Sequence, residues 1–136
     1  MRDALKARWS DMGEKMLKLA EEFPEDRYDF SPTDAVRTVA DQLRHVAFWN
    51  FYVADVLRHK DANGDANELP RHAYPTKAKV VGALRSSFDA VTAQLSNGNG
   101  SADLNQVVAF IEHNGEHYGQ LVVYARLSGM VPPASR

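Results

Sequence analysis

Apolar side chains return at intervals of three and four residues through four separate stretches of this chain, a spacing that commits most of it to amphipathic helices. Leu5, Trp9, Met12, Met16, Leu19, Ala20 and Phe23 mark the first helix. It should stop before Pro24, since the residue preceding a proline is driven out of helical conformation. Ser31-Pro32-Thr33-Asp34 reads as a second start, with Ser31 as N-cap and Pro32 in the first helical position. That helix is predicted to reach about Lys60, where Asp61-Ala62-Asn63-Gly64-Asp65 breaks it. Thr76 caps a third helix carrying Val80, Val81, Leu84, Phe88, Val91 and Leu95, ended by Asn97-Gly98-Asn99-Gly100. The fourth opens at Ser101 or Asp103 and runs to about Ser128, with Gly129 as C′ residue and Pro132-Pro133 beyond.

Helices of roughly 20 to 28 residues are about 30 to 40 Å long, a matched set that favours a four-helix bundle in one domain spanning residues 1–136. The connections between helices one and two and between three and four are short, so each pair is expected to be an antiparallel neighbour. The longer loop from Asp61 to Pro75 permits a crossover. No strand-like alternation, internal repeat or linker interrupts this pattern.

The chain contains no cysteine, which removes disulfides, thiolate metal ligands and a protein-borne thiol nucleophile together. A formal net charge of −2, without a run of Lys and Arg, argues against nucleic-acid binding. The first residues lack the apolar stretch of a signal peptide, and no apolar run is long enough to span a bilayer. A cytoplasmic protein without nucleic-acid or membrane contact is expected.

Of five histidines, His59 and His72 have an ordinary reading as solvated residues, His59 being favourable near a helix C-terminus. His113 and His117 lie four apart, so on a helix their imidazoles share one face with Phe110, Asn114, Leu121 and Tyr124. His45 is mid-helix. Val39, Leu43, Val46, Asn50, Val53 and Leu57 form one apolar stripe of that helix, while His45, Phe48, Trp49 and Tyr52 form a second. Such a helix is either central in its bundle or also covered by a partner chain, and a homodimer is expected. Three converging imidazoles would leave a metal's remaining coordination position open, the pattern of a catalytic site. Hydrogen-bonded core histidines fit the same spacing, and the donor set by itself does not select the ion.

His45-x-x-x-Trp49-Asn50, the segment His113-Asn114-Gly115-Glu116-His117-Tyr118-Gly119-Gln120, and the ending Gly129-Met130-Val131-Pro132-Pro133 resemble the DinB/YfiT-like family of metal-dependent four-helix-bundle proteins. The resemblance covers essentially the whole chain. It implies an all-α bundle with up-down-down-up connectivity, usually a homodimer. It also implies one divalent metal, nickel or zinc before iron or manganese, held by His45, His113 and His117. Some relatives use a low-molecular-weight thiol, and others have no known reaction.

Neutral ligands leave the full divalent charge on the ion, which would promote deprotonation of a water or thiol. Without cysteine, a reacting sulfur would have to come from a co-substrate. Metal-dependent thiol S-transfer or hydrolysis of a small molecule is therefore expected. The alternative is a non-catalytic dimeric binding or stress-associated module with a structural metal or none.

Glu116 adjoins His117, and Glu112 adjoins His113, yet neighbours on a helix diverge by about 100°. Both read most simply as rim carboxylates, with Glu116 the candidate general base or imidazole-orienting group. Asn50 and Asn114 are candidates for hydrogen bonds to the ligands, or to each other. Tyr52, Tyr118 and Trp49 read as core or pocket wall.

His113-Asn114-Gly115-Glu116-His117 also matches the H-x-x-E-H protease signature. That class takes a further carboxylate ligand downstream, and no Asp or Glu follows Glu116. A di-iron bundle needs repeated Glu-x-x-His and several inward carboxylates, which are missing.

Overall fold

The computed structural model describes residues 1–97 and 103–136. Among them are four α-helices, α1 (Arg2–Glu22), α2 (Val39–Leu57), α3 (Lys77–Ser96) and α4 (Leu104–Leu127), two short 3₁₀ turns and no strand. None of these helices is long and apolar enough to cross a membrane.

Four helix starts or stops follow local chemistry. Phe23 turns α1 into extended backbone just before Pro24. The Thr76 side chain accepts from Lys79 N–H and caps α3. Asp103 caps α4 by accepting from Asn105 N–H, while Ser101 and the Gly98–Gly100 breaker lie outside the described residues. At the other end of α4, Gly129 takes a φ of +77°, and Met130 N–H reaches back to Ala125 C=O at 2.9 Å, closing a Schellman turn.

Helix α2 departs from expectation at both ends. Ser31 does not start it; Thr38 does, accepting from Asp41 N–H at 3.0 Å. Residues Pro32–Val36 are all exposed, so a helix there would have no apolar face to bury, and the segment forms turns. The chain arriving from α1 instead serves as a backbone acceptor for the real start. Phe30 C=O and Tyr28 C=O take the N–H groups of Val39 and Ala40 at 3.0 and 2.9 Å. At its far end α2 stops at Leu57, short of Lys60. His59 takes a left-handed φ of 57°, and Lys60 N–H returns to Asp55 C=O at 2.9 Å.

The neighbour relations also differ from the expected ones. Helix α1 packs on α3 and α4, and α2 packs on α3 and α4, so α1 and α2 are not the expected neighbours, nor are α3 and α4. The connection from α1 to α2 runs from Phe23 to Thr38, far longer than a start at Ser31 would leave. It passes from one side of the bundle to the other, anchored by the buried Tyr28, whose hydroxyl donates to Ala20 C=O at 2.6 Å.

Trp9, Met16, Leu19, Leu43, Val46, Val53, Leu84, Leu95 and Leu121 form the fully buried centre. Gly13 lets α1 approach α3, since a Cβ there would stand 3.0 Å from the Phe88 ring. One polar chain crosses this core. Asn114 Nδ2 donates to Asn50 Oδ1 at 3.0 Å, Asn50 Nδ2 to Ser87 Oγ at 3.1 Å, and Ser87 Oγ to Leu84 C=O at 2.7 Å. All three side chains are fully buried, so the mutual bonds remove the desolvation cost each would otherwise carry. The two asparagines do satisfy each other, and Ser87 completes the set.

Candidate metal centre

The second apolar stripe of α2 and the His113/His117 face of α4 meet. Ring centroids of His45, His113 and His117 form a near-equilateral triangle with sides of 5.0, 4.7 and 4.6 Å. One ring nitrogen from each lies within 4.8 Å of the others, a group that could hold a metal ion. His59 and His72 are exposed and take no part, as their solvated reading requires.

What surrounds the triangle fixes which nitrogens face inward. His45 Nδ1 lies 2.7 Å from the backbone carbonyl of Asn67. A carbonyl only accepts, so Nδ1 carries the proton and Nε2 keeps its lone pair. His117 Nδ1 is 3.0 Å from Gln42 Oε1, and His113 Nδ1 is 3.4 Å from Asn114 Oδ1. With each Nδ1–H directed outward, the Nε2 atoms are left for the centre. His45 Nε2 and His113 Nε2 stand 3.0 Å apart. With His113, whose Nδ1 contact is the long one at 3.4 Å, in its other tautomer, this pair is a hydrogen bond, and an ion bound between the two nitrogens would displace that proton. Tetrahedral nitrogen ligands about 2.0–2.1 Å from one shared ion would themselves stand about 3.3 Å apart, a spacing close to that of the His45 and His113 pair.

The imidazoles are held neutral. Burial, then the neighbouring His113, His45 and Arg37, pushes the His117 pKa down to about 3. Burial also lowers His45 and His113, and the positive charge of Arg37 acts in the same direction on both. Neutral imidazole is the ligating form.

Around the triangle, Phe110 meets the His113 ring edge-on at 5.3 Å and stacks on Trp49 at 5.6 Å, while Tyr52 packs on Trp49 at 4.9 Å. These aromatics are half-buried and wall one side of the centre. On another side a cleft of about 590 Å³, lined by Ala35, Val36, Arg37, Glu68, Gln120 and Tyr124, reaches His117. Glu112 and Glu116 are exposed, as rim carboxylates should be, although the charge of Glu116 still acts on His113.

Three groups at the site escaped the sequence reading. Gln42 was findable, since it lies three residues before His45 on a largely apolar helix and a buried glutamine there needs a partner. Asn67 was not: it lies in the irregular segment between α2 and α3, at a left-handed φ of 61°, and loops carry no periodicity to read. The same holds for the ion pair between Arg37 Nε and Glu68 Oε1, which joins two non-helical segments.

An all-α bundle in which three imidazoles converge from two helices beside a cleft is compatible with metal binding. The DinB superfamily sequence profile matches residues 8–121, and the chain belongs to that superfamily. No curated protein matches it.

Proposed function

We propose that His45, His113 and His117 hold one divalent ion, nickel or zinc, and that the protein is a metal-dependent enzyme acting on a small molecule by thiol S-transfer or hydrolysis. The observation that carries this reading is the cleft that reaches His117. A structural site would be closed by a fourth protein ligand, whereas three ligands beside open space leave a position for a substrate. A non-catalytic module with its imidazoles packed shut would not need this opening at His117, the one of the three that the cleft touches. When bound, a divalent ion with three neutral ligands brings a water or thiol toward ionisation near neutral pH.

The chain's own residues have separate tasks in this reading. Asn67, Gln42 and Asn114 accept the three Nδ1 protons and so aim the Nε2 lone pairs. Trp49, Tyr52 and Phe110 exclude water from one side. The cleft admits the reactant, and a thiol, if used, must arrive through it because the chain has no cysteine. Phe48, Phe51 and Tyr52 remain only half-buried along α2, the apolar surplus of a homodimer face.

Elemental analysis of untagged protein tests the metal. Stoichiometric nickel or zinc is expected in wild type and its loss in His117→Ala, with far-UV circular dichroism unchanged. Equal metal in both proteins refutes the ligand assignment. A thiol-transfer assay over a panel of low-molecular-weight thiols then tests the reaction class.

A further inference from the structure

The cleft beside His117 has a strongly polarised mouth. Arg37 comes from the turn segment ahead of α2 and Glu68 from the segment between α2 and α3, and both line the cleft with Gln120 and Tyr124. The Arg37 backbone is fixed, because its carbonyl accepts the Tyr124 hydroxyl at 2.7 Å. Its side chain is freer. Of the guanidinium's N–H donors, Nε alone is engaged by a described residue, the Glu68 carboxylate, and both side chains are about a third exposed, at 34% and 29%. The terminal nitrogens of Arg37 have no other side-chain partner among the described residues. Solvent therefore reaches this pair, and a carboxylate arriving from solvent can compete with Glu68 for the guanidinium.

We propose that Arg37 determines specificity in the cleft by binding a carboxylate on the substrate, with Glu68 as the internal carboxylate that the substrate displaces. This deepens the metal-enzyme reading above and rests on it. The guanidinium offers a planar fork matched to a carboxylate, and Glu68 already demonstrates the pairing. One end of a bifunctional small molecule would be held at Arg37 while its reacting group extends past His117 to the imidazoles. Positioning of that kind supplies orientation without any group of the chain changing its covalent state. An exposed Arg tied to Glu would serve stability alone if it lay elsewhere on the surface. Its place in the same cleft as a candidate ligand gives it a recognition role.

Cobalt(II)-loaded protein provides a readout independent of turnover, because a thiolate entering the open position gives a sulfur-to-cobalt charge-transfer band. Mercaptopropionate and mercaptobutyrate are titrated against mercaptopropanol and mercaptobutanol, which match them in chain length and lack the charge. In wild type each acid is expected to bind about tenfold more tightly than its alcohol, the size of one net charge-assisted hydrogen bond. Arg37→Gln should abolish that preference, read as the ratio of acid to alcohol affinity because the lost charge acts on both, while a charge-transfer band retained with the alcohols shows that the variant is folded. Arg37→Lys should restore it in part, and Glu68→Gln should strengthen acid binding severalfold by removing the competitor. A preference that survives Arg37→Gln, or none in wild type, overturns the role of Arg37. Unchanged or weaker acid binding in Glu68→Gln overturns the exchange. A band absent with every thiol sinks the open-metal reading and this inference with it, an outcome separate from equal bands for acids and alcohols.

Discussion

Asn67 joins a left-handed backbone to the candidate metal centre, and substitutions there separate its two roles. Its φ of 61° is left-handed, its carbonyl takes the His45 Nδ1 proton at 2.7 Å, and its Oδ1 takes the Trp49 indole N–H at 2.8 Å. Asn67→Gly accepts the same φ and keeps the carbonyl, losing only the indole bond. The expected cost is about 1 kcal/mol of stability, or roughly 3–6 °C in Tm, with metal affinity within about threefold of wild type. Asn67→Val loses the indole bond too and adds about 1–2 kcal/mol, because a β-branched residue resists the left-handed region. The backbone relieves that strain by turning its carbonyl from His45, and metal affinity should fall about tenfold or more, the usual effect of removing an imidazole's outer partner. Chelator competition with nickel or zinc measures the affinity, and thermal unfolding of the metal-free proteins measures the stability. Equal metal affinities for the Gly and Val variants would refute the claim that this carbonyl aims His45.

Two further outcomes follow from the buried polar groups. Asn114→Leu leaves Asn50 Oδ1 without its donor in a fully buried position and should destabilise the fold by about 1–3 kcal/mol in urea unfolding, whereas Asn50→Leu with Asn114→Leu together should cost less than the two single changes summed. Burial raises the Asp41 carboxyl, but hydrogen bonds and charge from Arg44 and Arg71 outweigh it and leave the pKa below its ordinary 3.8. The contribution of Asp41 is thus present in full above pH 3.8 and is lost as pH falls through the lower folded value. The stability gap between wild type and Asp41→Asn should be constant near neutrality and close on acidification; a gap that instead widens below that pH contradicts the pairing.

The parts of this fold that could be read from residues are those decided locally. Pro24, Thr76, Asp103 and Gly129 each act within one turn of chain, and the helix ends they mark lie where expected. The start of α2 lies at Thr38 and not at the Ser31-Pro32 signal, because where a helix begins depends on which segment has a core to cover, a tertiary fact. A start at Ser31 implies a short first connection and with it neighbours that the bundle does not have. The histidine cluster was legible because its members lie on helices whose apolar periodicity points them inward. The groups that aim those imidazoles come in part from irregular backbone, and there only a three-dimensional arrangement reveals them.

That division has a physical basis in the site itself. A helix face can deliver an imidazole to the core, but it leaves the ring free to turn about χ2 and to place its proton on either nitrogen. Each histidine therefore needs an acceptor on its outer nitrogen, and α2 supplies one to α4 through Gln42 while α4 supplies its own through Asn114. No helical neighbour serves His45, which meets the loop carbonyl of Asn67 instead. The same segment carries Glu68 to Arg37 at the cleft mouth and Arg71 to Asp41 beneath α2. Tension on this loop thus reaches the ligand geometry and the cleft mouth together. A substitution that loosens the loop should disturb both, whereas His113→Ala on α4, which lies off the cleft lining, should disturb only the metal.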